Sequence, residues 1–184
     1  SSAKKLRRGG ANLLGGRALL RFLHPFTVRE LGPDFELERA LRFGTLPPLQ
    51  GLDSAEARDT LRSYVEIYLR EEIQSEGLVR NLGGFTRFLD LAAAYAGCIL
   101  NYSSLGKEAG LPVKTVQSYI EVLEDTLIGF RLDAWTRSPF KRLVAHPKFY
   151  LFDNGVTNAL AHRLAEPLDP ASRGGLFEQF LIQE

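Results

Sequence analysis

Apolar residues recur at helical spacing along the middle of the chain. From residue 54 to residue 73, and again after the paired glycines Gly83 and Gly84, they fall at positions i, i+3, i+4 and i+7. These positions are Leu61, Tyr64, Val65, Tyr68, Leu69 and Ile73, and then Phe85, Phe88, Leu89, Ala92, Tyr95 and Ala96. The pattern predicts two amphipathic helices, the first capped by Asp53 or Ser54, with the aromatic residues in the core.

Cap and turn residues indicate shorter elements near both ends of the chain. Residues 17–24 are typical of a short strand that ends at Pro25, and Thr27 is placed to cap a turn of helix after it. Asp34 is predicted to cap a helix over residues 35–43 that ends at Gly44. Toward the C-terminus, Asp153 is predicted to start a short helix ending at about residue 164, and another helix is expected from residue 176.

Residues 102–135 follow the plan of a winged helix-turn-helix. A short helix leads into Gly110 and Pro112, and a second helix follows that turn. The second helix is expected to bury Val113, Val116, Tyr119, Ile120 and Leu123. Alternating apolar residues after Gly129 then predict a strand, and residues 148–152 predict the strand that pairs with it. Helix, tight turn, helix and strand is the order found in DNA-binding winged helices.

Composition narrows the functional classes. The chain has 184 residues, of which 45% are hydrophobic and 24% charged, and its net charge is +1. The electrostatic field of the whole chain therefore does not attract nucleic acid or a membrane surface. Binding driven by charge would require a local patch of basic residues. A membrane span needs about 20 apolar residues, which no run approaches. The single cysteine, Cys98, has apolar neighbours and is expected to be buried, in a protein of the reducing cytoplasm.

The motifs of common enzyme sites are not found. The sequence has no G-x-x-x-x-G-K-S/T phosphate-binding loop, and its three histidines and one cysteine do not form a zinc pattern. We therefore expect no metal site and no cofactor in this chain. Asp153 and Glu178 are a candidate start of a metal-binding carboxylate set, although Asp153 is equally suited to cap the turn that follows it.

Nucleic-acid contact is one of two interpretations of the helix-turn-helix. The outward face of the second helix carries Lys114, Thr115, Gln117, Ser118 and Glu121, and the loop where a wing would lie carries Arg137, Lys141, Arg142 and Lys148. The candidate nucleic-acid-binding residues are Lys114, Gln117, Arg137, Lys141, Arg142 and Lys148. The acidic residues Glu121, Glu124 and Asp125 oppose this interpretation, because carboxylates repel phosphates. A solvated loop on a protein-docking module is the alternative.

The chain resembles a group of bacterial and archaeal AAA-type ATPases that carry an uncharacterised C-terminal module. The residues that carry the resemblance are Ser1-Ser2-Ala3, then Gly16-Arg17 with residues 23–31, and the helix of residues 64–73. The most specific match covers residues 101–128, which follow the family's winged-helix pattern. Residues 147–155 and 174–180 match its later segments. Members of that group continue from the winged helix into a fold similar to PD-(D/E)-x-K nucleases.

The resemblance implies a parent protein that binds ATP and Mg²⁺ in an ATPase core outside this chain. Ser1 or Ser2 would then be the polar sensor residue that orients the attacking water, and Arg17 would face nucleotide or a neighbouring subunit. Glu178 would be the catalytic helix acid of the nuclease-like site. Because the phosphate-binding loop lies elsewhere, we expect no ATP hydrolysis by this chain alone. An oligomer would form through the ATPase core.

These patterns together predict an α+β fold that is mostly α. Residues 1–33 are expected to be the C-terminal remnant of the ATPase core, and residues 34–97 a helical bundle. Residues 98–150 are expected to form the winged helix-turn-helix, and residues 151–184 the truncated start of a nuclease-like domain. Both ends of the chain look like cuts through a longer protein. DNA and a partner protein remain alternative ligands of the winged helix, and a membrane is not expected.

Overall fold

The computed structural model describes residues 23–69, 73, 79, 81–135 and 146–184. Within these ranges the chain is mostly helical with one small sheet, which confirms the predicted fold class at that level. In chain order the helices and strands are α1 Val28–Leu31, α2 Leu37–Phe43, α3 Ser54–Ser63, α4 Leu82–Ala94, α5 Tyr102–Ala109, α6 Val113–Asp125, β1 Gly129–Leu132, β2 Lys148–Leu151, α7 Asn154–Leu160 and α8 Pro170–Gln183. Most of the predicted strand at residues 17–24 lies outside the described residues.

The first two helices are short, and their ends follow local chemistry. Thr27 caps α1, and the Glu30 carboxylate accepts a hydrogen bond from the Thr27 backbone N–H at 2.9 Å. The prediction that Asp34 caps the next helix is wrong. Asp34 lies in a turn of 3₁₀ helix, Gly32–Asp34, and α2 begins only at Leu37. Gly44 ends α2 as expected, with a φ of +74° that a residue with a side chain rarely adopts.

The two amphipathic helices form as predicted but with different limits. Asp53 caps α3 through a reciprocal pair of hydrogen bonds with Glu56, and the helix continues as a π-helical segment, Tyr64–Leu69. Helix α4 begins at Leu82, so Gly83 and Gly84 lie inside it rather than before it. This start is possible because the Asn81 side chain accepts a hydrogen bond from the Gly84 N–H at 2.9 Å.

The buried face of α4 is narrower than its apolar pattern. Phe85, Phe88 and Leu89 are almost fully buried, and both phenylalanine rings pack against Tyr119 of α6. Tyr95 lies beyond the last full turn and remains 40% exposed, so the prediction that it belongs to the core is wrong. The helix has ended at Ala94, and helical periodicity no longer decides which way the next residues face.

The sheet is antiparallel and lies beside the α5–α6 pair. Phe130 of β1 is opposite Tyr150 of β2, and Arg131 is opposite Phe149. On the other side of β2, Ile99 forms a single bridge with Lys148. The chain segment before α5 thus pairs with β2 at this one bridge, which the sequence pattern did not predict.

Helix α7 is the centre of the C-terminal part. All seven of its residues are buried, and it packs against α2, α3, α4 and α8. It ends at Leu160, before the predicted limit of about residue 164, and α8 begins at Pro170 rather than at residue 176, because Asp169 caps it. One cluster of buried apolar residues extends from Phe43 to Leu164. The segments predicted as helical bundle and winged helix therefore share one core.

Candidate nucleic-acid interface

The α5–α6 pair is held by caps at its entrance and by a tight turn in its middle. The Asn101 side chain accepts hydrogen bonds from the backbone N–H groups of Ser103 and Ser104 and starts α5. Gly110 ends α5 in the left-handed conformation, with a φ of +66°. Pro112 then precedes the first turn of α6. The angle between the two helices is thus set by a glycine and a proline that the sequence already identified.

Helix α6 separates its buried face from a polar outward face. Val116, Tyr119, Ile120 and Leu123 are buried as predicted, whereas Val113 is 41% exposed and does not belong to the core. Lys114, Gln117, Ser118 and Glu121 are all exposed. The predicted contact residues Lys114 and Gln117 therefore lie on one accessible surface, at successive turns of the helix.

The C-terminal half of α6 carries the carboxylates, and one of them is neutralised. The Glu124 carboxylate accepts a hydrogen bond from Arg131 Nη2 at 2.6 Å, from Arg131 Nε at 2.9 Å and from the Arg131 backbone N–H at 3.2 Å. The hydrogen bonds to Glu124 raise the pKa of the Arg131 guanidinium above its ordinary value. The repulsion of phosphates that the sequence assigned to Glu124 is thus largely cancelled by Arg131.

Of the four basic residues predicted in or beside the wing, the structure describes only Lys148. Arg137, Lys141 and Arg142 lie outside the described residues, and their role stays a prediction. Trp135, at the edge of the described range after β1, is 80% exposed. Lys148 begins β2, and its ammonium group donates to the Glu178 carboxylate at 2.5 Å.

Glu178 is engaged by two groups of the sheet. In addition to Lys148, the Tyr150 hydroxyl donates a hydrogen bond to Glu178. Both bonds favour the charged carboxylate and lower the pKa of Glu178, the Lys148 contact having the larger effect. Burial, followed by the hydrogen bond to Glu178, raises the pKa of the Tyr150 hydroxyl. The predicted helix acid therefore forms a link between α8 and β2.

Asp153 and Glu178 are engaged by different partners. Asp153 is completely buried at the start of α7, and its carboxylate accepts hydrogen bonds from the Thr45 N–H at 2.9 Å and the Val156 N–H at 3.0 Å. Burial raises the pKa of Asp153 to about 6, and hydrogen bonds from the Thr45, Val156 and Gly155 backbone partly oppose that shift. The capping interpretation of Asp153 is confirmed. Among the described residues no group of three histidine, cysteine or acidic side chains is placed to hold a metal ion.

Two further predictions have different outcomes. Cys98 is exposed, so the prediction that it is a small buried residue is wrong. It lies in the short segment that pairs with β2, where its backbone rather than its side chain faces the sheet neighbour. Ser1, Ser2 and Arg17, the predicted nucleotide-sensing residues, lie outside the described residues.

Sequence reasoning missed the polar contacts that connect α7 to its neighbours. The Asn158 side chain donates to the carbonyl oxygens of Leu41 and Arg42, and the Gln179 side chain donates to the Thr157 hydroxyl. The side chains of Asn158, Gln179 and Thr157 are all buried. The one indication in the sequence was a run of uncharged polar residues inside an otherwise apolar segment. It could not predict the hydrogen-bond partners, because they lie more than 20 positions away in the chain.

The described residues form a mostly helical protein with a helix pair, a small antiparallel sheet and a polar surface on α6. The chain belongs to a family described as a domain of unknown function, DUF8612, whose model matches residues 34–166. No curated protein and no solved structure matches the chain. None of the helices in the described ranges has the length and apolar character that a bilayer crossing requires.

Proposed function

We propose that this chain is a winged-helix interaction module of a cytoplasmic AAA-type ATPase and that it contacts DNA through the N-terminal half of α6. The observation that carries the proposal is the joint exposure of Lys114, Gln117 and Ser118 on α6, the second helix of the α5–α6 pair. In DNA-binding proteins of this architecture, the N-terminal residues of the second helix contact base edges in the major groove.

The charge distribution along α6 supports this orientation. The first eight residues of the helix contain one cation and no carboxylate. The positive end of the helix dipole lies at the same end and favours phosphate groups. The acidic residues lie in the other half, and the charge of Glu124 is compensated by Arg131. The end of α6 that would face DNA is thus the end without repulsive charge.

The connection between β1 and β2 would then contact the backbone. Arg137, Lys141 and Arg142 follow Trp135 in the sequence, and we propose that they bind phosphates while Gln117 and Lys114 reach the groove. Phosphate contacts of this kind fix the position of a protein on DNA and make its affinity depend on salt.

Fluorescence anisotropy of the chain on a short labelled duplex, titrated across salt concentrations, tests the proposal. A Lys141→Ala/Arg142→Ala variant should lower the slope of log affinity against log salt by about 1.8, since each phosphate contact contributes about 0.9. Lys114→Ala/Gln117→Ala should weaken binding, whereas Arg62→Ala, at an exposed position of α3, should leave it unchanged. No binding at low salt, or equal loss in all three variants, would reject DNA contact.

Protein docking is the second candidate, and a specific observation favours it. Arg131 of β1 and Lys148 of β2 each form an ion pair with a carboxylate, Arg131 with Glu124 and Lys148 with Glu178. Cations that are already paired with carboxylates bind phosphates less well. A surface with paired cations is therefore better suited to a protein partner than to DNA. Absence of DNA binding in the anisotropy experiment would leave this candidate as the function of the α6 face.

The remaining roles of the parent protein rest on the resemblance to AAA-type ATPases. We propose that ATP and Mg²⁺ bind in an ATPase core outside this chain, with Ser1, Ser2 and Arg17 near the nucleotide. Glu178 as the catalytic acid of a nuclease-like site stays a prediction. Loss of Mg²⁺-dependent DNA cleavage by the parent protein after Glu178→Gln, with folding retained, would support that role, and unchanged cleavage would reject it.

A further inference from the structure

Asn154 and Gly155 form the one asparagine–glycine pair in the sequence. The other asparagines precede larger residues; they are Asn12, Asn81, Asn101 and Asn158. Asparagine before glycine is the pair that loses its side-chain amide most readily in a flexible chain, because glycine has no Cβ and its backbone rotates freely. The sequence therefore contains a site of spontaneous chemical modification at the start of α7.

The reaction at this pair requires no reagent other than water. The backbone nitrogen of Gly155 attacks Cγ of the Asn154 side chain, and the bond from Cγ to Nδ2 breaks. The side-chain nitrogen leaves as ammonia, with the proton that the Gly155 nitrogen gives up. Water then opens the five-membered imide at either of its two carbonyl groups. The products are aspartate at position 154, or isoaspartate, in which the main chain runs through the former side chain.

The fold restrains the Asn154 side chain. Asn154 is 1% exposed, and its Nδ2 donates to the Leu176 carbonyl of α8 at 3.0 Å. It is the first residue of α7, directly after the Asp153 cap. Ring closure requires rotations that would break the contact with Leu176 and take Asn154 out of the helical backbone conformation. The amide is thus held by a contact with another helix as well as by its own.

The attacking nitrogen is restrained as well. Gly155 is buried, and its N–H donates to the Asp153 carboxylate. The attacking form of this nitrogen is its deprotonated anion, which a carboxylate so close disfavours because like charges repel. The Gly155 backbone also lies so close to the Phe43 carbonyl of α2 that an added Cβ would collide with it. The nitrogen is therefore free to attack only after α7 has moved away from α2.

The product of the reaction does not fit the site that asparagine occupies. Aspartate at position 154 has no donor for the Leu176 carbonyl. It also places a second carboxylate next to the buried Asp153, and burial of unpaired charge is costly. A helix N-terminus favours negative charge, but Asp153 already supplies it here. Isoaspartate in addition lengthens the main chain by a carbon atom. The deamidated chain should therefore not regain the packing of α7 against α2 and α8.

We propose that Asn154–Gly155 is a latent deamidation site, protected while α7 is packed against α2 and α8 and reactive once α7 separates from them. Each opening of this junction then exposes the chain to an irreversible modification, so the lifetime of the folded protein depends on how often the junction opens. The proposal rests on the packing of α7 and is independent of DNA contact by α6.

Mass spectrometry of the full, unaltered chain tests the protection. The chain is incubated at mildly alkaline pH with and without denaturing guanidinium chloride, and amide loss at each asparagine is measured after digestion at acidic pH. In denaturant, Asn154 should deamidate faster than Asn81, Asn101 and Asn158. Without denaturant its rate should be at least about a hundredfold lower, because the reaction then passes through a small unfolded fraction. Equal rates in the two conditions, or no preference for Asn154 in denaturant, would overturn the proposal.

A matched pair of variants tests the effect of the product on folding. Asn154→Asp makes one product directly, whereas Asn101→Asp makes the same chemical change at an exposed cap of α5, where aspartate caps equally well. Asn154→Asp should lower the denaturation midpoint or prevent folding, and Asn101→Asp should leave the midpoint unchanged. Equal midpoints for the two variants would overturn the claim that deamidation keeps the chain from refolding.

Discussion

Arg131 and Glu124 form a three-bond contact that joins the first strand of the sheet to the end of α6. The guanidinium and the backbone N–H of Arg131 both donate to the same carboxylate, with the shortest distance at 2.6 Å. The two side chains are 39% and 20% exposed, so solvent screens the pair only in part. The contact therefore fixes the strand against the helix and also removes a negative charge from the proposed DNA-binding helix.

Two glutamate variants separate the stability lost with the Glu124–Arg131 contact from the stability lost with a negative charge alone. Glu124→Gln should lower the free energy of unfolding by about 1 kcal/mol, because it weakens two charge-assisted bonds to Arg131. Glu121→Gln removes the same charge from an exposed position three residues away and should change stability by less than about 0.5 kcal/mol. Chemical denaturation of both variants measures the difference. Equal effects would mean that the Glu124–Arg131 contact adds nothing to stability.

Asp153 is the carboxylate on which the α2–α7 junction depends. Its two oxygens accept from the Thr45 and Val156 N–H groups, whereas an asparagine would offer one oxygen and turn an amino group toward a donor. Asp153→Asn should therefore cost about 1–3 kcal/mol in unfolding free energy near pH 5. Asp169→Asn is the control, since Asp169 is an exposed cap of α8 and asparagine caps helices equally well. A loss as large in the control would show that the effect is one of capping alone.

The stability that Asp153 contributes should depend on pH in a defined direction. Burial raises the pKa of this group from an ordinary value of 3.8 to about 6, so the folded state binds the proton more tightly than the unfolded state. Its contribution is complete below about pH 4 and is lost as the pH rises through about 6. The stability difference between the unaltered chain and Asp153→Asn should shrink over this interval by on the order of 2–3 kcal/mol. A difference that widens as the pH rises would contradict the shift.

Gly155 is required by a close approach and not by backbone conformation. A Cβ at this position would collide with the carbonyl of Phe43, so Gly155→Ala should destabilise the chain by about 1–3 kcal/mol although alanine favours helices. Gly174→Ala is a matched change in α8, where a Cβ would meet open space, and it should stabilise the chain by up to about 1 kcal/mol. Thermal melting of both variants measures the two effects. Stabilisation by both changes would mean that α7 can move away from Phe43 at little cost.

Several elements were predictable because their causes lie within a few residues. Asp53 with Glu56, Thr27 with Glu30, and the Gly110 cap of α5 each act through contacts four or fewer positions apart. The buried face of α6 was also predictable, since a helical period of 3.6 residues places its apolar side chains together. The exposure of Lys114 and Gln117 follows from the same period, so the spacing of residues along the chain is enough to predict that part of the candidate interface.

The predictions that failed concern residues at or just beyond the ends of helices. Asp34 looked like a cap but lies in a 3₁₀ turn, and Gly83 looked like a boundary but lies inside α4 because Asn81 caps that helix. Tyr95 was assigned to the core from its helical spacing and Cys98 from its apolar neighbours, yet the chain leaves its helical path after Ala94 and exposes both.

The sequence by itself determined the mostly helical character, the positions of the main caps and the polar face of α6, because these depend on local spacing and local hydrogen bonds. Only the tertiary structure decided that Arg131 neutralises Glu124, that Lys148 and Tyr150 occupy Glu178, and that Asp153 is buried against Thr45. These contacts join residues between 7 and 108 positions apart, and packing between elements, rather than any local preference, brings them together.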